Sequence, residues 1–301
     1  MSGPACTQLE QRSFLALEGP ERRDFLQGLV SCDVMKASPS CALYGAMLTP
    51  QGKFLYDFFL IDAGDSFLLE VEAGRAAEML KKLTLYKLRS QVSLRLAPEW
   101  MAAAAFGQGA LTCLGLPEEA GAALTFGGGL AYADPRLADA GARLALPAES
   151  GLTLLEAAGF AIHPFDAWDR HRLALALPDG SRDLVPDKAI LLEAGFDELN
   201  GVDWKKGCYL GQELTARTKY RGLVRKRLLA VRYEGAAPPP GTEISQGEAE
   251  AGEMRSGIDG LGLAKIRLEA LTRPEPLMAG GKTLTPEVCA WMVLPKAEDT
   301  V

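Results

Sequence analysis

Cys208 is the residue in this chain best placed to do chemistry. It stands in the stretch Val-Asp-Trp-Lys-Lys-Gly-Cys-Tyr-Leu-Gly-Gln-Glu-Leu-Thr-Ala-Arg-Thr-Lys-Tyr-Arg, residues 202–221, between a Lys205-Lys206-Gly207 turn and a helical pattern that opens near Gly211 or Gln212. A helix N-terminus leaves backbone N–H groups unpaired and carries partial positive charge. Neighbouring ammonium groups such as Lys205 and Lys206 add to that field, and such surroundings favour thiolate over thiol. The expectation is a functional thiol; the competing reading is a small buried hydrophobe without chemistry. Gly207 and Gly211 bracket the cysteine, and glycine belongs where φ is positive or where something approaches the backbone closely. Loops so built often carry function.

The other candidates are weaker. The six cysteines (Cys6, Cys32, Cys41, Cys113, Cys208 and Cys289) are scattered without a Cys-x-x-Cys pair, which argues against a self-contained zinc or four-cysteine cluster site. His163 and His171, the two histidines, read as structural. Gly280-Gly281-Lys282-Thr283 imitates the end of a P-loop, but Pro276 stands where the first glycine is required. From Val202 to Arg232 there are nine basic residues and two acidic ones, a local net of +7 in a chain of −7. A basic island in an acidic protein suggests an anionic ligand; the bland reading is a solvated helix face running into a solvated strand. No RNA-binding module accompanies the island, so nucleic acid is the weakest of its possible partners.

The run Lys206-Gly207-Cys208-Tyr209-x-Gly211-Gln212-Glu213-x-x-Ala216-Arg217 resembles the signature of the YgfZ group of folate-binding proteins. That group is related to the aminomethyltransferase, or T-protein, of the glycine cleavage system, and its mitochondrial counterpart assists iron–sulfur cluster assembly. Further similarity lies in Phe25-Leu26-Gln27-Gly28 with Cys32-Asp33-Val34, in Thr49-Pro50-Gln51-Gly52-Lys53, in Arg172 to Pro178, in Pro186 with Leu191-Leu192-Glu193, and in Gly257 to Arg267. The resemblance implies a two-lobed α+β folate-binding module followed by a small antiparallel β-barrel. It implies tetrahydrofolate or a one-carbon derivative as ligand, in a cavity between the lobes. It also implies support of iron–sulfur, [4Fe–4S], enzyme assembly or repair, with iron–sulfur carrier or target proteins as partners.

Carboxylates of a folate tail need cations, for which Arg217, Lys219, Arg221 and Arg225 are the candidates. One cysteine cannot hold a stable cluster alone, so Cys208 would be a ligand of a transient cluster shared with a partner. The rival reading is a one-carbon transferase of the T-protein type, which carries Gly-Gly-x-x-Asp-Asp where this chain has Gln51-Gly52-Lys53-Phe54-Leu55-Tyr56, with Asp57 one place late. A one-residue slip turns a strand side chain to the opposite face, so an assembly factor is preferred to a transferase. A plain adaptor is the third reading.

The elements that must position these residues follow from pattern. With 301 residues, 48% hydrophobic and 24% charged, the chain is globular and long enough for two or three structural units. No apolar run reaches the roughly 18 residues of a membrane span, and the first eleven residues lack the pattern of a targeting peptide. The chain therefore reads as cytoplasmic, or as a mitochondrial-matrix protein whose targeting peptide has been removed. Strands are expected at Ser13–Leu17, Cys41–Leu48, Phe54–Ile61 and Ser66–Val71, with helices after Gly19-Pro20 and over Arg75–Leu88. Further strands are expected at Gln91–Leu96, Met101–Phe106, Ala122–Phe126 and Leu130–Ala133, and a helix from Pro164. Beyond Arg221, short strands at Arg227–Tyr233, Thr242–Ser245, Gly252–Ser256, Leu261–Leu268, Lys282–Leu284 and Val288–Val293 suggest the barrel. The expected organisation is a first lobe over 1–90, a second with the signature loop over 91–225, and the barrel over 226–301.

Overall fold

The computed structural model describes residues 3–294; residues 1–2 and the last seven of the expected barrel segment, 295–301, lie outside them. By internal contacts the chain forms two units. The first comprises Met1–Leu48, Leu55–Trp168 and Leu199–Leu210, and the second Thr49–Phe54, Asp169–Glu198 and Gly211–Val301.

Eleven strands build the two sheets: β1 (Ala5–Gln8), β2 (Arg12–Glu18), β3 (Leu43–Leu48), β4 (Phe54–Asp62), β5 (Ser66–Glu72), β6 (Ser93–Leu96), β7 (Trp100–Phe106), β8 (Ala123–Phe126), β9 (Gly129–Ala133), β10 (Ala142–Pro147) and β11 (Ala161–Ile162). Helices α1 (Arg22–Gln27), α2 (Ala76–Lys87), α3 (Ala110–Leu114) and α4 (Gly151–Ala157) accompany them. One sheet has the order β3-β4-β5-β2-β6 and the other β11-β1-β7-β10-β9-β8. β4 is buried along its whole length and shows no polar alternation, as expected of a strand covered on both faces. Tyr56, Phe58 and Leu60 join Leu26, Leu69, Met79 and Leu83 in one apolar core.

Asp57 belongs instead to a buried ionic network. Arg12 of β2 donates to Asp57 at 3.2 Å and to Glu70 of β5 at 3.2 Å. Glu70 also accepts from Arg143 of β10, at 3.1 Å from Nε, and from the Tyr132 hydroxyl of β9 at 2.6 Å. Burial alone would raise the pKa of Glu70, but Arg143 and Arg12 outweigh it and hold the carboxyl below its ordinary value. The Arg143 guanidinium lies 4.0 Å from the Phe59 ring centroid. Ion pairs and rings thus fill the space between the two sheets.

The second unit holds the residues of α5 (Phe165–Ala174) from Asp169 onward, then α6 (Gly180–Asp183) and α7 (Gln212–Tyr220). It ends in a closed antiparallel barrel of β12 (Lys226–Arg232), β13 (Glu243–Gln246), β14 (Ala249–Ile258), β15 (Leu261–Arg267), β16 (Leu277–Ala279) and β17 (Lys282–Glu287), ordered β12-β15-β14-β13-β16-β17. Arg172, almost wholly buried, ties α5 to the barrel by donating to Asp169 at 2.7 Å, Asp183 at 2.5 Å and the Ser256 hydroxyl at 2.7 Å.

The mixed α+β fold and the C-terminal six-stranded barrel are as expected, and three details differ. The boundary expected at 90/91 does not divide the units: β1 pairs into the second sheet and β6 into the first, so the chain switches sheets at 9–11 and again at 97–99. Likewise 169–198 belongs with the barrel and 199–210 with the sheets. Strand pairing is a long-range choice that alternation within a strand does not encode. Val288–Val293 is not a strand; its Trp291 turns inward to donate to the Leu175 carbonyl at 2.8 Å. The sixth barrel strand is Leu277–Ala279, three residues following Pro274 and Pro276 that are too short for a visible period. Gly280 and Gly281 make the turn to β17, and the triple glycine 127–129 similarly turns β8 into β9. Among the described residues, no helix is long and apolar enough to cross a membrane.

Candidate functional site

The signature loop is fastened to the first unit by its backbone and by two side chains. The Ser31 hydroxyl donates to the Gly201 carbonyl at 2.5 Å, and the Asp203 N–H donates to the Ser31 carbonyl at 2.9 Å. One Asp203 oxygen accepts from the N–H groups of Lys205 and Lys206 at 2.7 and 3.0 Å, and the other pairs with Lys36. An aspartate that caps the backbone two and three residues on is a local turn device. Burial would raise the Asp203 pKa, yet Lys36 and the two backbone donors bring it below the ordinary value.

Lys206 is the second anchor. Its stem is buried and its ammonium donates to three carbonyls: Gln27 at 2.9 Å, Val30 at 2.5 Å and Cys32 at 2.6 Å. The charge also lies 5.1 Å from the Tyr209 ring centroid. Tyr209 is buried, and the Leu210 N–H closes the loop on the Gly28 carbonyl at 3.0 Å. Between these anchors Gly207 and Cys208 are exposed.

Two expectations about the loop change here. The Lys206 charge is directed into the protein, where carbonyl dipoles receive it, and is not an exposed neighbour of the thiol; Lys205 is the exposed cation. Gly207 has neither a positive φ nor any atom within 4 Å of where a Cβ would stand, so neither reason for a glycine applies to it. Gly211 does need to be glycine-like, with φ +80° at the position before α7. The anchoring partners Ser31, Lys36 and the carbonyls of 27–32 went unnoticed in the sequence. Only Asp203, two residues before Lys205, carried a readable turn signal.

The remaining signature residues lie on α7 in the second unit. Gln212 opens the helix, Glu213 is exposed, and Arg217 approaches Glu213 one turn away at 3.8 Å. The hairpin tip packs against the helix start: a Cβ on Gly52 would meet Leu214 Cβ at 2.5 Å and the Gly211 carbonyl at 2.7 Å. Much of the basic island is neutralised by acids that the fold brings to it. Lys219 pairs with Asp197, Lys226 with Glu250, Arg227 with Glu198 and Arg232 with Glu287. Arg221 and Arg225 are exposed and, among the described residues, form no ion pair. They and Arg217 make a donor set that suits a polycarboxylate, with Lys219 already engaged. Among the described residues, no three His, Cys, Asp or Glu side chains group as ligands for a metal ion.

Comparison with known proteins adds identity to this geometry. Residues 225–294 match the family described as CAF17, C-terminal beta-barrel domain. The chain is 34% identical over 292 residues to the mitochondrial iron-sulfur cluster assembly factor IBA57 of Homo sapiens, covering 90% of this chain and 79% of that one. It is 32% identical over 313 residues to the mitochondrial IBA57 homolog of Neurospora crassa, covering 88% and 70%. Both relatives are mitochondrial by name, the second of the two settings, cytoplasmic or mitochondrial matrix, that the sequence suggests. Among solved structures, the glycine cleavage system aminomethyltransferase T from Bartonella henselae superposes over 95% of this chain and 85% of its own with a TM-score of 0.74 at 16% identity, which establishes a T-protein-like fold. By its identity and near full-length coverage, the chain belongs to the IBA57/CAF17/YgfZ family of iron–sulfur cluster assembly factors.

Proposed function

We propose that this chain binds tetrahydrofolate or a one-carbon derivative and supports the assembly or repair of [4Fe–4S] enzymes, with Cys208 as its functional thiol. The observation that carries this reading is the loop itself: a cysteine left exposed between two anchored flanks, Asp203 and Lys206 before it and Tyr209 and Leu210 after it. An inert thiol needs no such presentation. As a single thiolate, Cys208 would complete the ligand set of a cluster whose other ligands come from a carrier or target protein, so that the cluster is cargo in transit. For folate, Arg217, Arg221 and Arg225 suit the carboxylates of the glutamate tail.

The T-protein-like alternative of aminomethyl transfer lacks its acid. Leu55 and Tyr56 stand where that branch has carboxylates, and Asp57, one place later and turned away from the face of Tyr56, is buried and bonded by Arg12 and, at 3.4 Å, by the Tyr44 hydroxyl. A base so engaged is not free to meet a substrate.

Cys208→Ser tests the thiol. We expect folding stability to stay within about 0.5 kcal/mol, as for surface substitutions generally, and folate affinity to be unchanged. Reconstituted cluster delivery to an apo-[4Fe–4S] enzyme should be lost. Full delivery by the serine variant would remove Cys208 from the function.

A further inference from the structure

We propose that the exposed edge formed by α2 and β6 in the first unit is a docking surface for an extended, acidic segment of a partner protein, which adds as a strand to the outer edge of β6 and lays aliphatic side chains on the apolar patch beside it.

The strand β6 ends its sheet, with β2 on one side and, among the described residues, no strand on the other. The Ala97 N–H donates to the Phe14 carbonyl, and Leu96 stands opposite Leu15. In an antiparallel pair the bonded positions alternate, so Ser93 and Arg95 bond to β2 while the backbone groups of Leu94 and Leu96 face the open edge. The Leu96 carbonyl accepts from the Arg95 guanidinium at 3.2 Å; among the described residues, the N–H groups of Leu94 and Leu96 and the Leu94 carbonyl have no partner in the sheet, and such edge groups are what an added strand recognises. A lipid surface offers nothing that would satisfy it in register.

Apolar side chains flank this edge. Leu85 is 70% exposed, Leu88 88% and Leu96 45%. Leu88 adopts φ +46° and ψ −108°, a conformation that L-residues avoid. Backbone strain of this kind persists where surrounding structure enforces it and is concentrated at functional positions. Here its result is a leucine held in solvent beside an open depression lined by Glu21, Arg89 and Ser90.

The charge selects the partner. From Met79 to Pro98 there are five basic residues and no acidic one, in a chain of net −7. Arg95 is engaged by Glu18 and Glu99, and Lys82 lies near Glu78. Lys81, Lys87 and Arg89 form no ion pair among the described residues. A segment alternating acidic with aliphatic residues would meet the cations and the leucines while its backbone pairs with Leu94 and Leu96.

The probe is a fluorescein-labelled octapeptide alternating glutamate with valine or leucine, titrated with the full chain and followed by anisotropy, with a lysine-for-glutamate peptide as control. Saturable binding of the acidic peptide, weakened about tenfold by Lys87→Glu with Arg89→Glu and by Leu88→Ser with Leu96→Ser, is expected, as is a loss with added salt. Both double variants should melt as the parent does. Amide exchange should slow at Leu94 and Leu96. No saturation, equal binding of the lysine peptide, or protection elsewhere would overturn the proposal. So would phosphatidylglycerol vesicles binding where the peptide does not, or concentration-dependent dimerisation abolished by the same variants, which would make the occupant a membrane or a second copy.

Discussion

Lys206 illustrates how much a residue's role depends on where its charge is delivered. Its ammonium meets three carbonyl oxygens, and burial lowers its pKa from the ordinary lysine value. Three donors on one tetrahedral centre suit three converging acceptors, a geometry that a planar guanidinium does not reproduce. Lys206→Met should therefore cost roughly 1–3 kcal/mol, the penalty for buried polar groups left unsatisfied, and Lys206→Arg should not restore it. Urea unfolding gives the magnitude. Limited proteolysis should also cut faster near Gly207 in the variant, because the clamp on that side of Cys208 is gone. An unchanged cleavage rate would separate Lys206 from the presentation of the thiol.

At the scale of elements, α7 and the hairpin tip make a single piece of construction. Gly52 has φ +79°, and its missing Cβ is the space that Leu214 and the Gly211 carbonyl occupy. Gly52→Ala should cost about 1–2 kcal/mol for the left-handed backbone alone, with the clash added, and thermal unfolding would read the sum. The cations of the helix and its exit predict ligand behaviour. Affinity for polyglutamyl folate should exceed that for the monoglutamyl form and fall with salt, since exposed charges are screened over about 8 Å at physiological ionic strength. Arg221→Ala with Arg225→Ala should remove most of the difference between the two forms. Equal, salt-independent affinities in isothermal titration would leave these arginines without a tail to hold.

At the scale of the whole molecule, acid sensitivity follows from buried carboxylates. Burial pushes Glu70, Asp134 and Asp169 upward, but adjoining arginines hold each below its ordinary value: Arg143 and Arg12 for Glu70, Arg136 for Asp134, Arg182 and Arg172 for Asp169. A carboxyl with a depressed folded-state pKa contributes stability that is present above its unfolded value, about 4. That stability is lost as pH falls through the folded value. Circular dichroism should be flat from pH 7 to about 5, with cooperative unfolding below about 4. Glu70→Gln leaves Arg12 and Arg143 short of a countercharge and should cost about 3–5 kcal/mol at neutral pH. It should also flatten the acid limb of the stability curve; a variant that kept the parent's pH profile would show that the network does not govern it.

The sequence by itself determined the local matters: most strands and helices to within a few residues, the barrel, the turn glycines and the signature stretch around Cys208. These rest on alternation, helical spacing and turn chemistry, which act over a few residues. It did not determine which sheet received β1 or β6, because a strand's pattern says that one face is buried and not which neighbour pairs with it. Nor did it reveal that Lys206 points inward, since the carbonyls of 27–32 that receive it lie more than 170 residues away in the chain. Charge shows the same division. The island of +7 counted along the chain becomes, once Asp197, Glu198, Glu250 and Glu287 fold against it, little more than Lys205, Arg217, Arg221 and Arg225. Coulomb interactions depend on distance in space, and only the tertiary structure sets that distance.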